Sequence, residues 1–262
     1  MVLQARSTGG MWFRYGGLTG AIDPGPGALT HICAAEPALD PHLLRAILLT
    51  HKHLDHSTDI NVLAEAMTGG GFEQQGAVVL PDDSVHGDDP VLLKYMAKKV
   101  GQVFICEDGV PIELENGVSV EPVQHIHHGV DCFGYIFRKS GLLTWGLISD
   151  TKPLDFFPER YRDCEFLSIN ATFPDKKPRL DHMSIEDAAE LLQRLHPKLV
   201  TMTHMGMIIL QAENPDSFAK AISTKETRVL SARDGMVIDL DTLNVMTPAE
   251  EPRQTTRYKT LS

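Results

Sequence analysis

The sequence predicts an α/β protein, and three observations support that prediction. Short β-rich runs dominate the first part of the chain and give way to alternating strand and helix patterns from about residue 166. A chain of 262 residues, with 42% hydrophobic and 23% charged residues, is long enough to bury a full core. No internal repeat or linker-like stretch divides it. We therefore predict one domain over residues 1–248 and a polar tail over residues 249–262.

The first half of the chain contains most of the predicted strands. Apolar or alternating runs predict strands at residues 11–15, 18–22, 46–50, 77–80, 103–106, 118–123, 133–138 and 142–148. Helical patterns are expected at residues 41–44, from a cap at Ser57 or Thr58 to the glycines at 69–71, and at residues 91–99. The second strand ends at the turn-forming segment Asp-Pro-Gly-Pro-Gly, residues 23–27, where Asp23 is expected to hold the turn.

The second half alternates between the two element types. It predicts a strand at residues 166–170, an amphipathic helix at 184–195, a strand at 199–203, a helix at 215–224 and a hairpin at 229–240 that turns at Asp234-Gly235.

Charge and cysteine usage narrow the class of protein. A net charge of -11 and a pI near 5.5 argue against broad neutralisation of a phosphate backbone, so long nucleic acid is not the expected partner. The four cysteines are scattered singly, which favours free thiols in a reducing compartment. No run approaches the roughly 18 apolar residues of a membrane span. We expect a cytoplasmic protein without a membrane segment.

The segment Thr50-His-Lys-His-Leu-Asp-His56 carries the strongest chemical signal. On an extended chain, residues two apart point the same way, so His51 and His53 can share one metal ion. Asp55 and His56 follow where the chain turns towards a helix, and they can reach a second ion. Imidazole and carboxylate ligands suit Zn²⁺, Mn²⁺ or Fe²⁺.

This HxHxDH segment resembles the signature of the metallo-β-lactamase superfamily. The resemblance implies a four-layer αββα sandwich with a two-metal site at one edge of its two sheets. The segment 128–135, His-Gly-Val-Asp-Cys-Phe-Gly-Tyr, resembles the ribonuclease Z-like branch, which implies that His128 completes the first site. Strand alternation leaves His125 or His127 as the alternative.

Two further segments resemble the remaining ligand positions of the superfamily. Asp150 ends an apolar strand with a following Thr, as does the carboxylate that bridges both ions. His204 ends the strand at 199–203 and matches the last ligand, closing the second site. The implied metal ligands are His51, His53, Asp55, His56, His128, Asp150 and His204, with room for a bridging water.

A final match separates branches of the superfamily. The segments 170–173 and 181–184 resemble the pattern in which a histidine that is not a metal ligand assists departure of the leaving group, here His182. The alternative is a surface histidine in an ordinary helix N-cap region. Asn170 replaces the acidic residue usual in that branch, which puts a carboxylate hydrogen bond to His182 in doubt.

These residues predict a binuclear metal-dependent hydrolase, with Asp55 and His182 as catalytic groups. We expect a phosphodiesterase that attacks a small or nucleotide-like substrate through a metal-bridging hydroxide. The alternative is hydrolysis of a lactone, thioester or carboxylic ester at the same centre. The long arm of the tRNA-processing members is replaced by residues 138–141, which favours a small substrate, and the cations of loop 174–179 could meet a phosphate or simply be solvated. The branch implies a homodimer.

Overall fold

The structure is a computed structural model that describes residues 6–7 and 10–248, so the polar tail predicted at 249–262 lies outside the described residues. A five-stranded sheet is formed by the first part of the chain, with its strands in sequence order. Its strands are β1 (Met11–Tyr15), β2 (Leu18–Ile22), β3 (Ala46–Leu48), β4 (Ala77–Leu80) and β5 (Gln102–Ile105). The first pair is antiparallel and the other pairs are parallel.

Four helices accompany this sheet: α1 (Ala28–Cys33), α2 (Leu54–Ser57), α3 (Ile60–Met67) and α4 (Lys94–Ala97). The apolar residues of α3 recur at helical spacing, so they form one buried face. That face packs with Ile47 and Val78 of the sheet in one hydrophobic cluster. The helix therefore covers the outer side of the first sheet.

A seven-stranded sheet follows, again with its strands in sequence order. Its strands are β6 (Ile112–Leu114), β7 (Val118–His127), β8 (Val130–Arg138), β9 (Trp145–Ile148), β10 (Phe166–Asn170), β11 (Leu199–Thr203) and β12 (Arg228–Ser231). Pairing is antiparallel from β6 to β9 and parallel from β9 to β12. The helices of this half are α5 (Phe157–Arg160), α6 (Ile185–Leu195), α7 (Met207–Leu210) and α8 (Asp216–Ala221).

The two sheets face each other across an aromatic core. Phe13 of β1 makes edge-to-face contacts with Phe137 and Trp145 of the second sheet, at centroid distances of 5.3 and 5.6 Å. A separate cluster joins the outer side of the second sheet to α6 through residues such as Ile185 and Leu192. Helices thus cover both outer faces of two packed sheets, and the predicted four-layer α/β sandwich is confirmed.

Helix α6 begins at a reciprocal capping box. The Ser184 hydroxyl accepts a hydrogen bond from the Asp187 backbone N–H at 3.0 Å, and the Asp187 carboxylate accepts one from the Ser184 N–H at 2.9 Å. Such a box satisfies two donors at the helix start. The start of α6, and with it the end of the preceding loop, is therefore fixed.

Three local predictions are corrected by the structure. The hairpin at 229–240 does not form, because β12 pairs in parallel with β11 and the chain beyond it makes a small separate sheet of β13 (Val237–Ile238) and β14 (Val245–Met246). Asp59, and not Ser57 or Thr58, occupies the N-cap position of α3, without a capping hydrogen bond from its side chain, because the preceding residues already form α2. The helix predicted at 91–99 is confined to α4.

Among the described residues, no helix is both long and apolar enough to cross a membrane.

Tyr135 ties the two sheets together beside the histidine segment. Its fully buried hydroxyl donates a hydrogen bond to the Leu49 carbonyl at 2.6 Å, and the Phe133 N–H donates one to the Thr50 carbonyl at 2.9 Å. Both bonds run from β8 to the residues that follow β3. They fix the entry of the chain into the segment that begins at His51.

We predict that Tyr135→Phe lowers the free energy of unfolding by about 1–2 kcal/mol, because it leaves the buried Leu49 carbonyl without its donor. Urea titration followed by circular dichroism measures this change. Tyr95→Phe is the matched control, since the Tyr95 side chain is exposed on α4. Equal stabilities for the two variants would contradict the prediction.

Candidate metal centre

Histidine and aspartate side chains converge where strands of both sheets end. Residues that follow β3 and those at the ends of β7, β9 and β11 meet at one edge of the sandwich. Their possible ligand atoms form overlapping groups within 4.8 Å: His51, His53 and His127; His51, His56 and Asp150; Asp55, His56 and His204; Asp150, His182 and His204; and His127, His128 and His182. The edge therefore combines ligands from distant parts of the chain.

The first group consists of His51, His53 and His127. His53 Nδ1 lies 3.1 Å from His127 Nε2. Two ligands about 2.0–2.1 Å from one tetrahedral ion are about 3.3 Å apart, so this separation suits a shared metal. His51 is fully buried beside them, with its ring centroid 4.8 Å from that of His127.

His128 lies outside this first group. It forms a two-residue turn with Gly129, both at positive φ, between His127 and its partner Val130 on β8. Its side chain is 42% exposed. The geometry therefore favours His127, one of the two alternatives left open by strand alternation, and the ligand role of either residue remains a prediction.

His125, the other alternative, points elsewhere. Its Nδ1 lies 2.9 Å from the Ser149 hydroxyl and its Nε2 lies 3.1 Å from the Tyr161 hydroxyl, within the core of the second sheet. Burial lowers the pKa of His125 to about 3, so the ring is neutral. Both ring nitrogens are already engaged, and His125 belongs to a structural network.

The second group consists of Asp55, His56 and His204. His204 Nε2 lies 3.3 Å from Asp55 Oδ2, and His56 Nε2 lies 3.8 Å from the same oxygen. Asp55 and His56 come from α2, whereas His204 follows β11 of the other sheet. The three predicted residues are thus brought together across the sandwich.

Asp150 lies between the two groups and is almost fully buried. Its Oδ2 is 3.3 Å from His204 Nε2, 3.5 Å from His56 Nε2 and 3.8 Å from His127 Nε2. Its Oδ1 accepts a hydrogen bond from the Asn170 side-chain amide at 2.7 Å. One oxygen is therefore held by the protein, while the other faces nitrogens of both groups, as the predicted bridging role requires.

Asp23 accepts hydrogen bonds from Thr50 and from the ring of His56, a role beyond the one predicted for it in the turn. Its Oδ1 accepts from the Thr50 N–H at 2.7 Å, and its Oδ2 accepts from the Thr50 hydroxyl at 2.8 Å and from His56 Nδ1 at 2.9 Å. Because a carboxylate only accepts, the proton of a neutral His56 ring stays on Nδ1. His56 Nε2 is then free to bind a cation.

Hydrogen-bond acceptors at Nδ1 also orient two rings of the first group. His51 Nδ1 lies 3.0 Å from the Thr50 hydroxyl, whose own proton is donated to Asp23. His127 Nδ1 donates to the Asp181 carbonyl at 2.8 Å. Both rings therefore turn Nε2 towards the centre. Such supporting acceptors are usual behind the histidines of metal sites.

Two buried nitrogens show that these residues fit a metal. His51 Nε2 and His56 Nε2 have no hydrogen-bond partner among the described residues, although each is shielded from solvent. A buried polar atom without a hydrogen-bond partner lowers the stability of the folded protein unless another group binds it. A cation bound by these nitrogens and by Asp150 would satisfy both, so the donor set fits divalent metal ions.

The charge of the cluster is consistent with this fit. Burial lowers the pKa of His51 and lowers that of His127 to about 4, so both rings are neutral and present lone pairs. Burial opposes ionisation of Asp150, but His204 and His56 hold the pKa of its carboxyl well below the usual range. A hydrogen bond from His204 likewise lowers the pKa of Asp55. Burial opposes protonation of His56 and His204, but Asp23 and Asp150 raise the pKa of His56, and Asp150 and Asp55 raise that of His204. Two carboxylates and the neutral rings of His51 and His127 thus offer lone pairs to a cation, which would displace the ring protons of His56 and His204.

His182 borders both groups. Its Nδ1 lies 3.8 Å from Asp150 Oδ2, and its ring centroid lies 4.8 Å from that of His127 and 5.8 Å from that of His204. The side chain is 16% exposed, so it is partly accessible to solvent. Burial lowers the pKa of His182, with Asp150 opposing that shift. The structure therefore places it beside the predicted ligands.

Asn170, which replaces the acidic residue usual in the branch, makes hydrogen bonds to Asp150 and Thr203 instead of to His182. Its side-chain oxygen accepts a hydrogen bond from the Thr203 hydroxyl at 2.6 Å, while its amide donates to Asp150. Asn170 thus orients Asp150. Sequence reasoning missed this role because the three residues belong to three different strand ends.

Comparison with known proteins places the chain in a family. The model of the β-lactamase superfamily domain matches residues 21–205, which is well over half of the chain. An uncharacterised protein of Methanocaldococcus jannaschii, MJ1374, is 29% identical over 248 residues, covering 91% of this chain and 90% of the relative. Ribonuclease Z of Methanopyrus kandleri is 25% identical over 263 residues, covering 89% and 91% respectively.

Solved structures show the same fold. The metallo-β-lactamase fold protein YhfI of Bacillus subtilis superposes with a TM-score of 0.72 at 20% identity, covering 87% of this chain and 90% of that protein. A diphosphatase of the PhnP family superposes with a TM-score of 0.61 at 22% identity, covering 86% and 80%. Together with the sandwich architecture and the cluster of histidine and aspartate side chains at its edge, these matches establish that the chain belongs to the β-lactamase superfamily and has the metallo-β-lactamase fold.

Proposed function

We propose that this protein is a binuclear metal-dependent phosphodiesterase acting on a small or nucleotide-like substrate. The observation that carries the proposal is the position of His182, a partly exposed ring beside Asp150. His182 belongs neither to the group of His51, His53 and His127 nor to that of Asp55, His56 and His204. Two matched proteins have names that refer to cleavage of bonds to phosphorus, a ribonuclease Z and a diphosphatase, which supports a substrate with a scissile phosphoryl bond.

Two divalent ions are proposed, one for each group of ligands. His51, His53 and His127 would hold the first, and Asp55, His56 and His204 the second, with Asp150 shared. Nitrogen and oxygen ligands of this kind suit Zn²⁺, and Mn²⁺ or Fe²⁺ are accepted by similar sets. When bound, such a pair of ions activates water near neutral pH and stabilises negative charge on a phosphoryl oxygen.

The protein side chains then have two tasks. Asp55, whose Oδ2 lies 3.3 Å from His204 Nε2, would orient the attacking water or a neighbouring ligand in the second group. His182 faces the substrate and donates a hydrogen bond to the oxygen that leaves phosphorus, where negative charge builds up as the bond breaks. A hydrogen bond that strengthens in the transition state raises the rate of the chemical step.

The surroundings of the centre favour a small substrate. Strands β8 and β9 are joined by the short segment 139–144, which leaves no long arm between them. In the loop ahead of His182, Lys176 pairs with Glu190 and Asp187 of α6, and is therefore directed towards that helix. Lys177 and Arg179 are exposed in the same loop and could meet a substrate phosphate.

The proposed reaction is tested with zinc- or manganese-loaded protein on a panel of aryl and cyclic phosphodiesters, lactones and thioesters. We expect turnover of phosphodiesters and little turnover of the other two classes. If lactones or thioesters were opened while every phosphodiester was refused, the carboxylic ester alternative would replace this proposal. His182 would then have no leaving phosphate ester oxygen to assist.

We predict that His182→Ala lowers kcat on a phosphodiester by roughly 100-fold or more, because the donor to the leaving oxygen is lost. Metal content should stay the same, since His182 is not a proposed ligand. His86→Ala is the control, because His86 is an exposed histidine paired with Asp82 away from the centre. Loss of metal from the His182 variant would instead make that residue a ligand.

A second prediction separates His127 from His128. His127→Ala should weaken the affinity for Zn²⁺ at least tenfold, because it removes one nitrogen of the first group, whereas His128→Ala should bind Zn²⁺ like the parent protein. Competition with a coloured chelator measures both affinities. The reverse order would restore His128 as the ligand implied by the resemblance.

A third prediction concerns Asn170. Asn170→Ala should weaken metal affinity by about 10- to 100-fold, because Asp150 loses the donor that holds its Oδ1. Asn61→Ala is the matched control: Asn61 also makes two hydrogen bonds, to Val91 and Leu93, but far from the centre. If both variants lost stability and neither lost metal affinity, Asn170 would be a purely structural residue.

A further inference from the structure

A single hydroxyl group, that of Thr172, lies between the two histidines that follow β10 and β11. Thr172 Oγ1 is 3.2 Å from His182 Nδ1 and 3.3 Å from His204 Nδ1. No other side chain among the described residues makes a hydrogen bond to both rings. The hydroxyl therefore links a proposed metal ligand directly to the proposed leaving-group residue.

The backbone of Thr172 is held in the same position from both sides. Its N–H donates to the Met183 carbonyl at 2.9 Å, next to His182, and its carbonyl accepts from the Gly206 N–H at 3.0 Å, two residues after His204. A Cβ at position 206 would lie 2.6 Å from the Thr172 carbonyl oxygen, so this close approach requires glycine. The two histidine loops are thus packed onto Thr172.

The direction of the two hydrogen bonds follows from His204. Its Nε2 faces the centre, 3.3 Å from both Asp55 Oδ2 and Asp150 Oδ2, and would give its lone pair to the cation. The ring proton must then be on Nδ1, which donates to Thr172 Oγ1. A threonine hydroxyl has one proton, and this proton remains for His182 Nδ1.

We infer that Thr172 is a positioning residue that holds neutral His182 in the tautomer protonated at Nε2, so that this N–H is directed to the leaving oxygen of the substrate. His182 Nδ1 accepts from Thr172, and a neutral imidazole with an acceptor at Nδ1 carries its proton on Nε2. Nε2 has no hydrogen-bond partner among the described residues and is the nitrogen available to substrate.

This inference rests on the proposed function, because it deepens the role of His182 there. Thr172 itself forms and breaks no covalent bond in the reaction. The hydroxyl fixes the ring rotation and the position of one proton, so that the donor is in place before the bond to phosphorus breaks. Preorganised donors of this kind are effective because no rearrangement is needed during the reaction.

The first test compares Thr172→Val with Thr172→Ser on two substrates that differ only in the leaving group, methyl 4-nitrophenyl phosphate and methyl phenyl phosphate. Valine keeps the shape and backbone bonds but removes the hydroxyl, and serine restores it. We expect the valine variant to lose about tenfold in kcat on the phenyl ester, the worth of one hydrogen bond, with KM unchanged. The 4-nitrophenyl ester needs less assistance and should lose little, and serine should recover the rate.

Thr201→Val is the matched control, because Thr201 is a buried threonine of β11 whose hydroxyl donates to Ser168 within the sheet. It should change both substrates equally or not at all. Equal losses on both substrates for Thr172→Val, or a loss of bound metal in that variant, would show a merely structural role. Unchanged rates on both esters would also overturn the inference.

A second readout does not depend on turnover. Nitrogen NMR of zinc-loaded protein labelled with ¹⁵N-histidine reports which ring nitrogen carries the proton, and the His182→Ala spectrum assigns the signal. We expect His182 to be protonated at Nε2 in the parent and to become a mixture of tautomers in Thr172→Val. A mixture in the parent, or no change in the variant, would refute the inference. If no phosphodiester is hydrolysed, the proposed function fails, but this measurement still decides the role of Thr172.

Discussion

The structure of the candidate metal centre depends on one buried carboxylate, that of Asp23. A charged group in the interior is tolerated only when its oxygens are satisfied, and Asp23 accepts three hydrogen bonds, two from Thr50 and one from His56. These bonds hold the start of the histidine segment and set the tautomer of His56. Through the Thr50 hydroxyl they also set the tautomer of His51. One side chain thus turns two ring nitrogens towards the same point.

The other constraint is the parallel arrangement of strands in both sheets. Neighbouring parallel strands end at the same edge, so residues that follow β3, β9 and β11 are neighbours although they are far apart in sequence. The segment after β3 contributes four of the proposed ligands and the ends of β7, β9 and β11 contribute one each, while the intervening helices cover the outer faces. The fold therefore fixes the positions of the groups, while hydrogen bonds behind them fix their orientation.

Much of this could be predicted from local sequence. Buried strands such as β3 and β4 are short apolar runs, α6 has one apolar face behind a serine cap, and the HxHxDH segment is contiguous. The choice between His127 and His128 was harder, because it depends on where a hairpin turns. The pairing of His127 with Val130 puts His128-Gly129 in the turn, and a glycine at its second position was the available signal. The contacts of Asn170 with Asp150 and Thr203 join separate strand ends, so no local pattern reports them.

The cross-sheet composition of the centre has a consequence for assembly of the molecule. His51, His53, Asp55 and His56 come from the first sheet and its helices, whereas His127, Asp150 and His204 come from the second. Neither sheet alone carries a complete set of ligands. Ions bound at this edge would hold the two sheets together. The free energy of unfolding would rise with the logarithm of the free metal concentration, and the two sheets would unfold as one cooperative unit. Metal would then bind only when the two sheets are packed against each other in their native positions.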